Sequence, residues 1–225
     1  MAILYIIATP IGNLQDITLR AIETLKGVDL ILCEDTRVTQ KLLNHYEIRT
    51  PTLSYHQHSK LNKVEHILGL LGQGKNLALV SDAGTPGISD PGGKLVQRAI
   101  ESLSSSVKIV PIPGSCAVTA SASISGFPVD RFLFLGFPPL KNKRKKFFEE
   151  VAGSKYPVIF YESTYRIIKT LKELNSLVGE REIVVCRELT KKFETIYRGK
   201  ITQVIKEIEG GEIRGEFAVI VGKLK

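Results

Sequence analysis

The sequence is poor in paired cysteines. Its three, Cys33, Cys116 and Cys186, lie in or beside apolar runs, and no two stand at CxxC spacing. Neither a disulfide framework nor a zinc site is implied, and buried thiols in a reducing compartment fit the pattern. Long hydrophobic runs are also missing. No stretch approaches the ~18 apolar residues of a membrane helix, and the amino terminus lacks a basic region leading into an apolar one. A cytoplasmic protein is the expectation.

The glycine patterns of common nucleotide sites are absent as well. A P-loop would need Ser or Thr after Gly93-Lys94, where Leu95 stands, and glycine at position 88, which is Ile. A dinucleotide fingerprint should open the first strand-to-helix turn. There, Ile3 to Ala8 runs into Thr9-Pro10-Ile11-Gly12-Asn13-Leu14, with one glycine where three are required. The usual NAD and ATP enzymes are therefore disfavoured. Metal ligands are sparse too: His56 and His58 form a His-x-His with His66 further on, but no ligand set accompanies them, and no metal is expected.

What the chain does have is an unusual loop. Ser81-Asp82-Ala83-Gly84-Thr85-Pro86-Gly87-Ile88-Ser89-Asp90-Pro91-Gly92-Gly93 follows the apolar run Asn76 to Val80 and holds no cation before Lys94. An apolar run followed by glycine and proline reads as a buried strand ending in a tight loop, at the sheet edge where open α/β sheets bind ligands. Glycines let a ligand approach the backbone, and carboxylates suit a cationic or hydroxyl-rich ligand better than a phosphate.

Strand-like runs alternate with amphipathic helical stretches along the whole chain. Strands are predicted at residues 3–8, 28–33, 51–55, 76–80 and 107–110, and then at 131–135, 157–161, 182–186, 194–198 and 215–222. Leu61, Val64, Ile67, Leu68 and Leu71 illustrate the helical spacing between them. This βαβα order predicts an α/β fold with a mostly parallel sheet and helical crossovers. Pro111-Ile112-Pro113-Gly114-Ser115 interrupts it. We therefore expect two α/β domains, 1–113 and 114–225, with a ligand cleft at the hinge. The net charge of +8 points to an anionic partner, and Lys141-Asn142-Lys143-Arg144-Lys145-Lys146 concentrates five cations in six residues. That run is either a solvated helix start or a phosphate contact.

Several motifs together resemble one family. They are Ala8-Thr9-Pro10-Ile11-Gly12-Asn13-Leu14 with Asp16-Ile17-Thr18, Glu34-Asp35-Thr36-Arg37, the Ser81 to Gly92 loop, Pro113-Gly114-Ser115-Cys116-Ala117, Phe160-Tyr161-Glu162-Ser163, and Arg187-Glu188-Leu189-Thr190-Lys191-Lys192-Phe193-Glu194. Their order and spacing are similar to the ribosomal RNA small subunit methyltransferase I family of the tetrapyrrole methylase superfamily, the class III methyltransferases. The resemblance implies an S-adenosylmethionine-dependent, cytoplasmic homodimer that methylates the ribose 2′-hydroxyl of a cytidine in 16S rRNA. The family often carries a further helical segment after the point where this chain stops.

By the same resemblance Pro10, Asp82, Ala83, Gly84, Thr85, Cys116 and Ala117 should meet the methyl donor, with Tyr161 and Ala218 contributing from the second domain. The general base is left open among Glu34, Asp35 and a Lys191 of depressed pKa. Arg37, His56, His58, Lys143, Arg144, Arg187 and Glu194 are the candidates for RNA. The residues leave two other readings open: a small-molecule, tetrapyrrole-type methylase sharing the donor pocket, and a non-catalytic RNA-binding assembly factor.

Overall fold

A computed structural model describes residues 1–224 apart from 57, 58, 60 and 91. The chain divides into Met1–Cys116 and Ala117–Lys225. The first unit is a five-stranded sheet in the order β3-β2-β4-β1-β5, all neighbours parallel, built from β1 (Ala2–Ile7), β2 (Leu30–Cys33), β3 (Thr52–Ser54), β4 (Leu77–Leu79) and β5 (Val107–Ile112). Helices α1 (Leu19–Gly27), α2 (Thr36–His45), α3 (Leu61–Gly72) and α4 (Gly93–Leu103) cross between the strands.

Because side chains alternate along a strand, a parallel sheet covered on both sides needs apolar residues at every position. Leu4, Leu32, Leu77 and Leu79 pack with Ile67, Leu68 and Leu95 of α3 and α4. Their neighbours Ile7, Ile31, Ala78 and Val80 face the other way, onto Ala21 and Leu25 of α1 and Leu43 of α2. Pro111 is tolerated within β5 because that strand lies at the sheet edge, where a missing N–H breaks no ladder on the outer side.

The second unit contains α5 (Ala117–Ile124), β6 (Leu133–Phe134), α6 (Arg144–Gly153), β7 (Val158–Ser163), α7 (Ile167–Val178), β8 (Glu182–Arg187), β9 (Thr195–Lys200), α8 (Ile201–Glu209) and β10 (Glu216–Val221). Its sheet runs β6-β7-β10-β8-β9. Only β6 and β7 are parallel; the other three pairings are antiparallel, so the expected mostly parallel character holds for the first unit alone. The reason is visible in the connections. Between β8 and β9 there are only residues 188–194, too few for a helical crossover, so the chain reverses as a hairpin.

One face of this sheet, with Phe160, Val185, Phe217 and Val219, is buried by α6, α7 and α8. The opposite face carries Tyr161, Cys186 and Ala218, which lie side by side on three strands, and α5 packs against β7 and β10.

Candidate functional site

The carboxyl ends of β2, β3 and β4 are adjacent on one edge of the first sheet. There Glu34, Asp35, Thr36, Arg37, Ser54, His56 and Asp82 line a cavity of about 490 Å³. The fold thus brings together residues assigned from three separate motifs.

Each acidic residue in this group has a different task. Asp35 is the N-cap of α2: its backbone is extended and its carboxylate accepts the Arg37 N–H at 2.8 Å. The Arg37 side chain folds back onto the same group, Nη2 to Oδ2 at 2.6 Å and Nε to Oδ1 at 3.0 Å. These charge-assisted bonds hold the Asp35 carboxyl at about 2. The Asp35 N–H in turn donates to Asp82 Oδ1 at 3.0 Å, joining the loop after β4 to the start of α2.

With Asp35 occupied as the cap, Glu34 is left to the cavity. Its carboxyl is pushed up from the ordinary value, first by burial and then by the charge of Asp82, while His56 pulls it down. Asp90 is pushed up to about 6, chiefly by burial, with a Ser81 hydrogen bond opposing and the charges of Glu34 and Asp82 adding to the rise. Asp90 lies in the quoted loop but was assigned no role from sequence. Its signal there was only a second carboxylate in a cation-free loop, and its closeness to Glu34 depends on the pairing of β2 with β4.

The loops expected to hold the donor are stitched to one another within the first unit. Thr9 and Gly84 form an antiparallel bridge, Thr9 N to Gly84 O at 2.9 Å and Gly84 N to Thr9 O at 3.0 Å, and the Thr9 hydroxyl donates to Ser81 O. Gly84 has φ +84°, and a Cβ there would meet Ile11 Cγ2 at 3.4 Å, so a side chain is strained by conformation and crowded by contact. The Thr85 hydroxyl donates to Ser115 O at 3.1 Å, and the Ser115 hydroxyl to Asp16 O. Pro10 is buried, Ala83 is exposed, and Cys116 closes the unit half-buried. Ala117 opens α5 in the second unit. Tyr161 and Ala218 are register partners there, with the Tyr161 ring edge-on to Phe134 and Phe137.

The remaining candidates are placed less as expected. Lys191 Nζ lies 2.8 Å from both Glu188 Oε1 and Glu216 Oε2. Burial favours the neutral amine, but the two carboxylates outweigh it and the pKa is pushed up, the reverse of the depressed value expected for a lysine base. Arg187 is buried and gives its donors to loop carbonyls, Nε to Arg214 O at 2.6 Å and Nη1 to Phe193 O at 3.2 Å. Arg144 does the same kind of work, bonding Glu173 Oε2, Pro139 O and the Thr170 hydroxyl while its guanidinium covers Phe148. Both guanidiniums hold loops through these bonds. Glu194 accepts the Thr190 N–H at 2.7 Å within its own turn. Lys143 and Arg37 are exposed, and His58 lies outside the described residues.

Comparison with known proteins bears on this arrangement. Residues 3–205 match the family model described as Tetrapyrrole (Corrin/Porphyrin) Methylases. A Synechocystis protein named ribosomal RNA small subunit methyltransferase I is 45% identical over 223 residues, covering 98% of this chain and 79% of the relative. Proteins of the same name from Bacillus subtilis and Thermotoga maritima are 46% and 41% identical; each match covers 98% of this chain, with 75% and 98% of the respective relatives. Among solved structures, cobalt precorrin-4 methyltransferase, a cobalamin biosynthetic enzyme, superposes with a TM-score of 0.71 at 21% identity, covering 98% of this chain and 94% of that one. Diphthine synthase superposes with a TM-score of 0.74 at 11% identity, covering 99% and 90%. At these identities the two structures speak for the fold.

Proposed function

The chain belongs to the tetrapyrrole methylase family as an S-adenosylmethionine-dependent methyltransferase, and from that premise we propose that its acceptor is the ribose 2′-hydroxyl of a cytidine in 16S rRNA. The observation that carries the proposal is the cavity at the end of β2. It pairs a carboxyl of raised basicity, Glu34, with an exposed guanidinium, Arg37, beside the donor loop.

The residues present fit a donor with a cationic centre. No lysine or arginine occurs from Ser81 to Gly93, and Asp82 stands at the cavity. By the family resemblance, Pro10, Asp82, Ala83, Gly84, Thr85, Cys116, Ala117, Tyr161 and Ala218 are the residues that would hold it. When bound, S-adenosylmethionine supplies an electrophilic methyl group on a sulfonium.

The chain itself must orient the ribose and take its proton. As the methyl leaves the bound donor with loss of the neutral thioether, the Glu34 carboxylate would accept the proton released from the 2′-hydroxyl. A general base of this kind adds ~10²–10⁴-fold, with positioning supplying much of the rest. Glu34 suits the task better than Asp35, whose lone pairs are engaged by Arg37 and the α2 backbone, and better than the doubly ion-paired Lys191. Arg37 lies on the exposed rim and can bond an adjacent phosphate by trading part of its pairing with Asp35. His56 lines the same cavity, where it can hydrogen-bond or stack on the acceptor base.

The proposal extends to a cytoplasmic homodimer acting on the small ribosomal subunit, which the family resemblance supports. It is tested by transfer of labelled methyl to small subunits lacking the modification, with naked 16S rRNA in parallel and nuclease mapping of the product. Label on a cytidine ribose is the expected result. Donor binding without RNA labelling would overturn it and turn attention to small-molecule acceptors.

A further inference from the structure

Single exposed apolar residues are ordinary on protein surfaces. Four gathered on one edge are less so. In the second unit β6 is parallel to β7, and β7 and β8 are both antiparallel to β10, so the carboxyl ends of β6, β7 and β8 share an edge. The loops leaving those ends carry Phe137, Leu140, Tyr165 and Phe193, with relative exposures of 51%, 74%, 97% and 60%.

These loops are fixed from beneath. Arg166 donates Nη1 to Pro138 O at 3.2 Å while its Nη2 lies 2.7 Å from the buried Glu162 carboxylate, and Arg144 holds Pro139 O at 3.0 Å. The Thr164 hydroxyl bonds Gly215 O. Tyr165 therefore sits between two anchored neighbours, Thr164 and Arg166, yet its ring meets no hydrogen-bond, ion-pair or ring partner among the described residues. Phe137 packs edge-on to Tyr161, whereas the Tyr165 ring stands exposed on an anchored loop.

Charge shows what it suits. The acidic groups of the edge are occupied: Glu188 and Glu216 by Lys191, Glu212 by Arg214, and Glu194 by the Thr190 N–H. Among the described residues Lys141, Lys143 and Lys192 have no acidic partner, and the Lys192 ammonium lies 5.5 Å from the centre of the Phe193 ring. Exposed rings interleaved with unpaired lysines are the elements of a single-strand nucleic-acid surface, on which bases stack while cations follow the backbone.

We propose that this edge of the second unit binds an unpaired segment of the RNA substrate, with Tyr165 and Phe193 as stacking platforms and Lys141, Lys143 and Lys192 as phosphate contacts. The inference rests on the ribosomal RNA reading above and names where the substrate is held beyond the reacting ribose.

The chain has no tryptophan, so Tyr165→Trp provides a single reporter on the surface. Stacking predicts that its emission is quenched by a short cytidine-rich single-stranded RNA, with weaker quenching as salt rises. Tyr165→Ala and Phe193→Ala should each raise KM for the small subunit about 5- to 150-fold, the range expected for losing one base stack, and the double variant should raise it further, while the donor dissociation constant stays at its wild-type value. Tyr165→Phe should restore most of the loss. Lys141→Ala and Lys192→Ala should each lower the salt slope of RNA binding by ~0.7. Unquenched Trp emission together with an unaltered KM in the double variant would overturn the proposal. So would emission that shifts with protein concentration in the absence of RNA, which would make the face a contact between copies of the chain. If RNA quenches the reporter but the wild type labels no RNA, the binding surface stands and the reaction assignment fails. If the wild type labels RNA while the reporter is silent and the double variant keeps its KM, only the surface fails.

Discussion

Asp90 should cost this protein stability at neutral pH. Its carboxyl is pushed to about 6 in the folded chain against an ordinary value of 3.8, mainly by burial. Because the folded pKa is the higher one, the native state holds the proton more tightly, and stability falls as pH rises from about 4 to about 6. Above that window the cost is complete. Asp90 keeps partial contact with solvent, so screening discounts the full two-unit shift and leaves a cost on the order of 1 kcal/mol at pH 7.5. The same relation leaves about half of it at pH 5 and almost none at pH 3. Asp90→Asn removes the ionisation with little change of shape. The variant should therefore be more stable than wild type at pH 7.5 by up to that amount, with the advantage shrinking through pH 5 and vanishing at pH 3. Urea unfolding of both proteins at the three pH values measures the difference, and contributions from titrating groups that do not interact with Asp90 cancel between them. An advantage that does not vary with pH, or a variant less stable at pH 7.5, would refute the claim that buried charge at position 90 is the cause.

Glu34→Gln should reduce methyl transfer by ~10²–10⁴-fold while leaving donor binding in place, and the acid limb of the wild-type kcat/KM profile should lie above the ordinary glutamate value of 4.5; a loss below tenfold would remove Glu34 as the base. Asp35→Ala should lower stability through the lost cap of α2 and the lost pairing with Arg37, and Asp35→Asn much less, read as denaturation midpoints. Arg144→Ala should destabilise the second unit by about 1.5–3 kcal/mol, since it strands Pro139 O, the Thr170 hydroxyl and Glu173; an unaltered midpoint with weakened RNA binding would return it to the surface. Burial pushes Cys186 up to about 12 and also raises Cys33, so at pH 8 neither should react with iodoacetamide until denaturant is added, as peptide mapping would show.

The resemblance carried by six ordered motifs and the full-length similarity to curated relatives agree on the family. Local patterns were equally informative about the elements. Helix α4 runs from Gly93 to Leu103 and α2 from Thr36 to His45, as the spacing of apolar residues requires, because amphipathic periodicity is a property of neighbours in the chain. Direction of pairing was less accessible. The second sheet is mainly antiparallel because β10 enters between β7 and β8, a choice made by contacts between distant segments.

The roles of charged residues divide along the same line. From sequence, Glu34 and Asp35 are candidate bases, Arg37 and His56 are candidates for RNA and, by resemblance, Asp82 is a donor contact; only the sheet edge brings them around one cavity. Sequence could not say which carboxylate would be the stronger base, since Glu34 and Asp35 are adjacent and chemically alike. That was decided by position: Asp35 caps a helix and binds Arg37, whereas Glu34 lies half-buried beside Asp82. Likewise a run of five cations at 141–146 reads as uniform positive charge. Tertiary structure turns Arg144 inward to Glu173 and leaves Lys141 and Lys143 without an acidic partner among the described residues. Pattern along the chain determines which residues are present and how far apart, and so settles elements and family. The energy of a charge depends on burial and on partners from elsewhere in the chain, so the chemistry at each position is settled only when the strands pair.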